Sequence, residues 1–539
     1  MDKMLARIAR LNEIGIALSA EKNVDVVCDN ILKGAMELTN ADGGSLYSMA
    51  DDGRALNFTI VATHSLDIYM GGASGKEINF PAIQLYQPDG TPNMSMVVSS
   101  AVHDDHTINI PDAYHAVGFD FSGTRKFDQK TGYHTRSILT IPMKNHQGDI
   151  IGVLQLINAR DETTGETREF TDSDQKLAES LASQAAVAIT NTRLIEQQRE
   201  LFESFIQMIA GAIDEKSPYT GGHCKRVPEL TMMIAEACHK QNDGPLKDFH
   251  MTDMDRYELE IAGWLHDCGK VTTPEYVVDK ATKLETIYDR INTVDTRFEV
   301  LKRDARIIML ENIIARRADE HGADCADIEA DYAARITQLD ADRDFVRHSN
   351  IGGEFMDEAA QQRIRDIGKY SWLDANGEQA KFFNEDEIKN LTISRGTLTA
   401  EEREVINNHM AVTIKMLEKL PFPRHLANVP EYAGGHHERM DGKGYPRGLT
   451  REQMSLQARM MGIADIFEAL SASDRPYKTG KPLTECLKIL GFMKKDNHVD
   501  PDIFDVFVRS KVYMRYAEAF LPKNQIDEVD HSKIPGFEG

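Results

Sequence analysis

The chain is 539 residues long, 41% hydrophobic and 27% charged, which at about 100 to 200 residues per domain predicts roughly three modules and excludes a wholly disordered polymer. Its 62 Lys and Arg against 86 Asp and Glu leave a formal net charge of −24, which argues against nonspecific binding to a nucleic acid polymer or an anionic membrane while leaving room for a local basic pocket. Six scattered cysteines without a CxxC pair, no apolar leader in MDKMLARIARLNEIG and no run of about 18 apolar residues predict a cytoplasmic protein with reduced thiols and no membrane insertion.

Residues 1–195 read as an α+β unit. Met4, Ile8, Leu11 and Leu18 share a helical stripe, whereas 45–49, 56–63, 137–143 and 149–158 have strand character, the last two joined as a hairpin by the turn 145–149. Thr171 followed by Asp172 and Asp174 marks a helix start, and no Gly or Pro follows before Gly211. A connecting helix over 171–215 is expected, either continuous or as two helices with a bend. Along it Leu181, Ala188, Ile195, Phe202 and Ile209 recur every seven residues, with Leu177 and Phe205 on the same face and Gln184, Asn191 and Gln198 making half of the seam polar. That pattern suits a homodimer.

Beyond about residue 200 strand signals nearly vanish. Leu284, Ile287, Ile291, Val294, Phe298, Leu301, Ala305 and Ile308 follow a 3,4 spacing, and Ile328, Tyr332, Ile336, Leu339 and Val346 form a second stripe, which predicts two helices joined around 321–323. KATKLET at 280–286 and ISRGTLTAEE at 393–402 read as two versions of one polar helix start. About 285–392 is therefore set apart as an inserted helical hairpin, a dimer strut or lid rather than a site of chemistry.

Two His-Asp dipeptides occur. His103-Asp104 lies in the polar stretch VSSAVHDDHTIN and reads as solvated surface, whereas His266-Asp267 follows the apolar IAGWL, where buried polar groups need partners. His223, His409, His436, His437 and Asp465 complete a set of seven imidazoles and carboxylates, more donors than one four-coordinate ion takes. Two divalent ions bridged by Asp267 would activate a shared water for in-line attack on phosphorus. Lys270 lies one turn after His266 and can reach a phosphate or that water. Arg475, Tyr477 and Lys478 in SDRPYK either offer cation and stacking groups to a guanine dinucleotide or form an ordinary solvated loop. Gly442 and Gly444 permit positive φ in a tight loop whose exit Pro446 stiffens.

HDCGK, the later His409, HHERMDGKGYP and the Asp465 segment, in this order, resemble the HD-GYP subgroup of the HD phosphohydrolases over about 200–284 and 393–520. The resemblance implies an all-α HD-GYP domain at 200–525 and a site of two or three ions, iron or manganese. It also implies hydrolysis of cyclic di-GMP to pGpG and on to GMP, with GGDEF-domain proteins, which make cyclic di-GMP, as partners. Carried onto this chain, it places His223, His266, Asp267 and Asp465 around one ion and His409, His436 and His437 with Asp267 around the second. Asp267 and Lys270 become catalytic, Lys270, Arg475, Tyr477 and Lys478 meet the substrate, and Gly444, Tyr445 and Pro446 form the loop that names the group. Some members hold a third ion with a Glu four residues before the first His; Tyr219 stands there, which favours two ions. SDRPYK lies one residue further from Asp465 than is usual, a departure that bears on the substrate contacts alone.

NIPDAY at 109–114, 127–143 and GVLQLIN at 152–158 resemble a GAF domain, which implies a six-stranded antiparallel sheet with flanking helices and a small-molecule pocket. Asn109-Ile110 and Asp128-Gln129 depart from the signature of cyclic-nucleotide-binding members, so the ligand stays open, with Ser45, Tyr114 and Gln155 as pocket candidates or simply satisfied sheet residues. The reading is then an α+β GAF sensor joined by a long helix to an all-α HD-GYP domain with an inserted helical hairpin. Its expected activity is a GAF-regulated cyclic di-GMP phosphodiesterase. A phosphodiesterase for cyclic GMP-AMP or a noncatalytic nucleotide-responsive scaffold are the alternatives.

Overall fold

Period-two alternation divides the N-terminal strands into two faces. β1 (Ala41–Met49), β2 (Ala55–Thr63), β3 (Ile68–Gly71), β4 (Ile83–Gln84), β5 (Ile108–Ile110), β6 (Ile138–Lys144), β7 (Ile150–Arg160) and β8 (Thr167–Arg168) pair antiparallel in the order β3-β2-β1-β7-β6-β5, with β4 on β2 and β8 on β7. The expected six strands thus become eight, because two-residue strands too short to alternate extend the sheet. Leu46, Leu139, Ile141, Leu154 and Leu156 face a helical layer of Asp2–Ala20, Val24–Thr39 and the start of Asp172–Lys216, forming the main core of this unit. Tyr47 and Val153 point the other way, into a smaller cluster with Leu56, Leu85 and Val98.

This computed structural model describes the chain apart from residues 1, 22, 217–221, 320–322, 354, 375, 474–479 and 539. Tyr219, Arg475, Tyr477 and Lys478 therefore lie outside the described residues. Contacts divide the chain into Met1–Phe202 and Glu203–Gly539.

The long helix is continuous over Asp172–Lys216. At its start the Thr171 hydroxyl accepts from the Asp174 amide (3.2 Å) and Asp174 Oδ2 accepts from the Thr171 amide (2.9 Å), a reciprocal cap. Leu177 and Leu181 belong to the core of the sheet unit rather than to an outward seam, and Gln184 lies against Gly15 of the first helix. This corrects the seam read from the sequence at its first turns alone, since Ile195, Phe205 and Ile209 remain exposed: a seven-residue period does not say which partner a face meets.

In the second unit the segment about 285–392 is more than a hairpin. Helices Ile291–Asp319 and Ala326–Ile351 are followed by Glu358–Ile367, an antiparallel pair Ser371–Leu373 with Gln379–Lys381, and Glu385–Leu391. Val294, Phe298, Leu301, Leu339, Val346, Phe382 and Phe383 give it a core of its own. The expectation of an all-α second half fails at this pair, whose three-residue strands leave no periodic signal. At the root, Lys280 Nζ donates to Asn390 Oδ1 (2.7 Å) and to Glu402 Oε2 (2.7 Å), while Thr397 Oγ1 donates to the Lys280 carbonyl (2.9 Å). The two similar polar stretches are therefore bonded to each other.

Candidate metal centre

Helix Asp253–Leu265 begins with a capping box between Thr252 and Asp255 and ends at His266, after which the chain tightens into the 3-10 turn Cys268–Thr272. That change of pitch directs His266 and Asp267 into the interior, both essentially without solvent contact. Gly269 permits the next element to close in: a Cβ there would stand 2.0 Å from the His409 carbonyl oxygen, and its amide donates to Thr413 Oγ1 (2.9 Å). The close approach brings His409, on helix Ala400–Leu417, to Asp267.

His266, His409 and His436 share one device. In each, ring Nδ1 bonds to the backbone carbonyl three residues earlier, Gly263, Ile406 and Ala433, which assigns the proton to Nδ1 and leaves Nε2 a bare lone pair. His223 is oriented by a carboxylate instead, its Nδ1 2.5 Å from Glu468 Oε2, while Glu468 Oε1 accepts from Arg226 Nε (2.7 Å). Asp214 caps this helix start by accepting from the amides of Gly222 (3.0 Å) and Cys224 (3.3 Å).

The rings converge on Asp267. Its Oδ2 lies 3.2 Å from His223 Nε2, 3.1 Å from His266 Nε2 and 2.5 Å from Lys270 Nζ, and its Oδ1 lies 3.2 Å from His409 Nε2. Asp465 Oδ1 stands 3.4 Å from His223 Nε2. Two donor groups result, His223 with His266 and Asp267, and Asp267 with His409, His436 and His437, each with ligand atoms within 4.8 Å of one another. Among the described residues, Asp267 Oδ1, His409 Nε2 and His436 Nε2 are buried without a hydrogen-bond partner. Buried lone pairs that converge without a donor are what a divalent cation satisfies, so the residues fit a metal site of nitrogen and oxygen donors.

The electrostatics of Asp267, His436 and His437 agree. Burial alone would raise the Asp267 pKa, yet Lys270 and His266 hold it well below the usual carboxylate range. Burial pushes His436 well below the ordinary imidazole value and takes His437 down to about 4, leaving both neutral, the form that binds metal. His223 goes the other way: against burial, Glu468, Asp267 and Asp465 raise it well above the ordinary value.

The GYP loop buttresses this centre. Tyr445 stacks on the His437 ring (centroids 4.9 Å apart, planes 21° apart), and Glu438 accepts from the amides of Arg447 (2.7 Å) and Leu449 (2.9 Å), tying down the loop. Tyr445-Pro446 is cis, and Gly442 has φ of 74°. Gly444 does not adopt positive φ; its bare Cα is required because a Cβ would lie 2.4 Å from the Arg439 nitrogen.

Glu468, Arg226, Asp214 and Gly269 were missed by the sequence reading. Gly269 had a signal in the HDxGK spacing, and Glu468 in its place one helical turn after Asp465. In the sheet unit, Tyr47 donates to Gln155 Oε1 (3.2 Å), Gln155 Nε2 donates to Thr140 Oγ1 (3.0 Å), and Ser45 sits opposite Gln155 in the β1–β7 register. Tyr114 donates to the buried Asp128 (2.9 Å) and packs on His134. Ser45 and Gln155 are thus cross-strand neighbours. His103, of the other dipeptide, bonds the Leu85 carbonyl and belongs to neither donor group.

Comparison with known proteins bears on both units. The GAF domain family matches residues 23–189, and an HD domain family matches 381–503, which contains His409, His436, His437 and Asp465. The chain carries a GAF domain and an HD domain. A 3'3'-cGAMP-specific phosphodiesterase of Vibrio cholerae is 40% identical over 111 residues, 20% of this chain and 23% of the relative. A cyclic di-GMP phosphodiesterase of Pseudomonas aeruginosa is 38% identical over 115 residues, 21% of this chain and 27% of the relative. The chain spans only about a quarter of the length of these curated relatives. Among solved structures, the GAF domain/HD domain protein from Geobacter sulfurreducens is 17% identical, covering 33% of this chain and 97% of that one, with a TM-score of 0.23. An HD phosphohydrolase domain binds divalent metal, and the two donor groups around Asp267 suit that role. Among the described residues no helix is long and apolar enough to cross a membrane.

Proposed function

We propose that this protein is a metal-dependent phosphodiesterase that hydrolyses a cyclic dinucleotide, with cyclic di-GMP converted to pGpG and then GMP, under control of a small ligand at the GAF domain. The observation that carries the reading is Asp267, whose two oxygens address two separate imidazole groups. His223, His266, Asp267 and Asp465 would hold one ion and Asp267, His409, His436 and His437 the other, iron or manganese in both. When bound, the pair supplies Lewis-acid activation of water and charge neutralisation at phosphorus. The chain's own part is orientation: Nδ1 bonds fix the tautomers, Tyr445 braces His437, and burial excludes bulk water. Lys270 Nζ, now on Asp267, is the cation available to a phosphate oxygen.

The 40% identical cGAMP-specific relative favours cyclic GMP-AMP as a second substrate. In the domain scheme that goes with this reading, a 1–195 sensor acts through the 171–215 helix on a 200–525 catalytic region, and GGDEF-domain proteins are partners. The test is anaerobic turnover by full-length protein loaded with Fe(II) or Mn(II), with both cyclic dinucleotides side by side and nucleotide chromatography as readout. A linear dinucleotide formed by the wild type and lost in Asp267→Ala supports the proposal. No product at verified metal occupancy overturns it.

A further inference from the structure

A cation beside the metal centre is left over by the proposed reaction. Arg403 is exposed and lies on the helix Ala400–Leu417, six residues before His409 and so about 9 Å from it along the axis. The helix start that fixes its place is built locally, by the capping box of Thr399 and Glu402, and Glu402 also holds Lys280 at the root of the insertion. From there the guanidinium reaches back over Gly396, where a Cβ would stand 3.7 Å from Arg403 Nη2. The charges of Asp465, Asp267 and Arg403 are all felt at the Tyr445 hydroxyl, and the Tyr445 ring lies on that of His437. Tyr445 is thus near both the carboxylates of the metal centre and Arg403.

Arg403 has no acid of its own. Side chains three and four residues apart are neighbours on a helix, and positions 399, 400, 406 and 407 are Thr, Ala, Ile and Asn. Glu401 is paired with Lys389 and Glu402 with Lys280. In a chain of net charge −24, an exposed arginine without an ion pair among the described residues, beside a cluster of buried carboxylates, is a cation left for an anionic ligand. A cyclic dinucleotide carries two phosphates. The one cut at the metal centre meets the ions and Lys270, whereas the other, one nucleoside away, has no cation yet among the described residues. A guanidinium suits it, because its planar fork donates two parallel hydrogen bonds to phosphate oxygens.

We infer that Arg403 binds the second, uncut phosphate of the cyclic dinucleotide and so favours a two-phosphate ring over a simple phosphodiester, an inference that rests on the proposed reaction. The test uses full-length, metal-loaded protein with cyclic di-GMP, cyclic GMP-AMP and bis(p-nitrophenyl) phosphate, which has one phosphodiester and no second phosphate. Arg403→Ala should raise KM about ten- to hundredfold for both cyclic dinucleotides with kcat little changed, as expected when a charged hydrogen bond made equally in the ground and transition states is lost. Its kcat/KM for bis(p-nitrophenyl) phosphate should stay at the wild-type value. Arg403→Lys, which keeps the charge without the fork, should recover part of the lost affinity. Dinucleotide KM values that do not move overturn the inference and leave the reaction standing. A matching loss on bis(p-nitrophenyl) phosphate also overturns it, since Arg403 would then act on the metal centre, and a loss confined to cyclic di-GMP overturns it by assigning Arg403 to a guanine edge. A wild type that cleaves bis(p-nitrophenyl) phosphate but neither dinucleotide overturns the proposed reaction, and this inference with it.

Discussion

Glu468 exerts its effect through one imidazole. Fully buried, it faces His223 Nδ1 at 2.5 Å and is itself held by Arg226, and against burial these two keep its carboxyl down at about 2, so it is ionised throughout the working range. A carboxylate on the far nitrogen orients a ligating ring and strengthens its donor atom, an effect worth about 10- to 100-fold in metal affinity. Glu468→Gln should therefore weaken divalent metal binding by about that factor, measured by competition with a chelating dye. Unchanged affinity would show that packing alone positions the ring. Gly269 is the other single residue on which the centre depends. A methyl group 2.0 Å from the His409 carbonyl oxygen forces apart the turn that carries Asp267 and the helix that carries His409. Gly269→Ala is expected to destabilise the second unit by about 1 to 3 kcal/mol, read from its thermal or denaturant midpoint.

Elements differ in how legible they were. His266-Asp267 is legible in the sequence because a polar dipeptide after the apolar IAGWL is costly to bury unless something binds it. The hairpin helices were legible for the same reason, since Val294, Phe298 and Leu301 keep a helical period into their own core. Leu177 and Leu181 were misassigned because the period is identical whether a face meets its own sheet or another chain. Ser371–Leu373 and Gln379–Lys381 were invisible because three residues carry no alternation. The root of the insertion contains one group whose cost the sequence hides. Lys283 is 1% exposed, donates to the carbonyls of Ile393 (2.7 Å) and Leu391 (3.2 Å), and is pushed by burial down to about 8. In the unfolded chain it titrates at ~10.4. Between those values the unfolded state binds more protons, so stability rises with pH across that window and is flat in this respect below it. Wild type should gain on Lys283→Met by about 1 to 3 kcal/mol as pH goes from 7 to ~10.5. Parallel denaturant curves for the two proteins would refute this assignment.

At the scale of the whole molecule, the helix Asp172–Lys216 runs through the boundary between Met1–Phe202 and Glu203–Gly539. Its first turns lie in the core of the GAF sheet, with Asp174 bonded by Arg168 (2.6 Å) and Arg7 (2.6 Å), and its last residue, Lys216, donates from Nζ to the carbonyls of Val271 (2.6 Å) and Thr273 (2.7 Å). Those carbonyls belong to the turn that follows His266-Asp267 and to its C-cap. A charged hydrogen bond of this kind is worth about 1.5 to 3 kcal/mol. Lys216→Met should therefore speed amide hydrogen exchange over 268–274 by about tenfold or more, while exchange in the sheet core around Leu154 and Leu156 stays as it was. If Lys216 is the contact through which the sensor acts, the same variant also loses any difference in turnover between protein with and without its first 171 residues. Exchange that is unaltered at 268–274 would mean that the turn is held without Lys216, by contacts such as that of the Gly269 amide with Thr413.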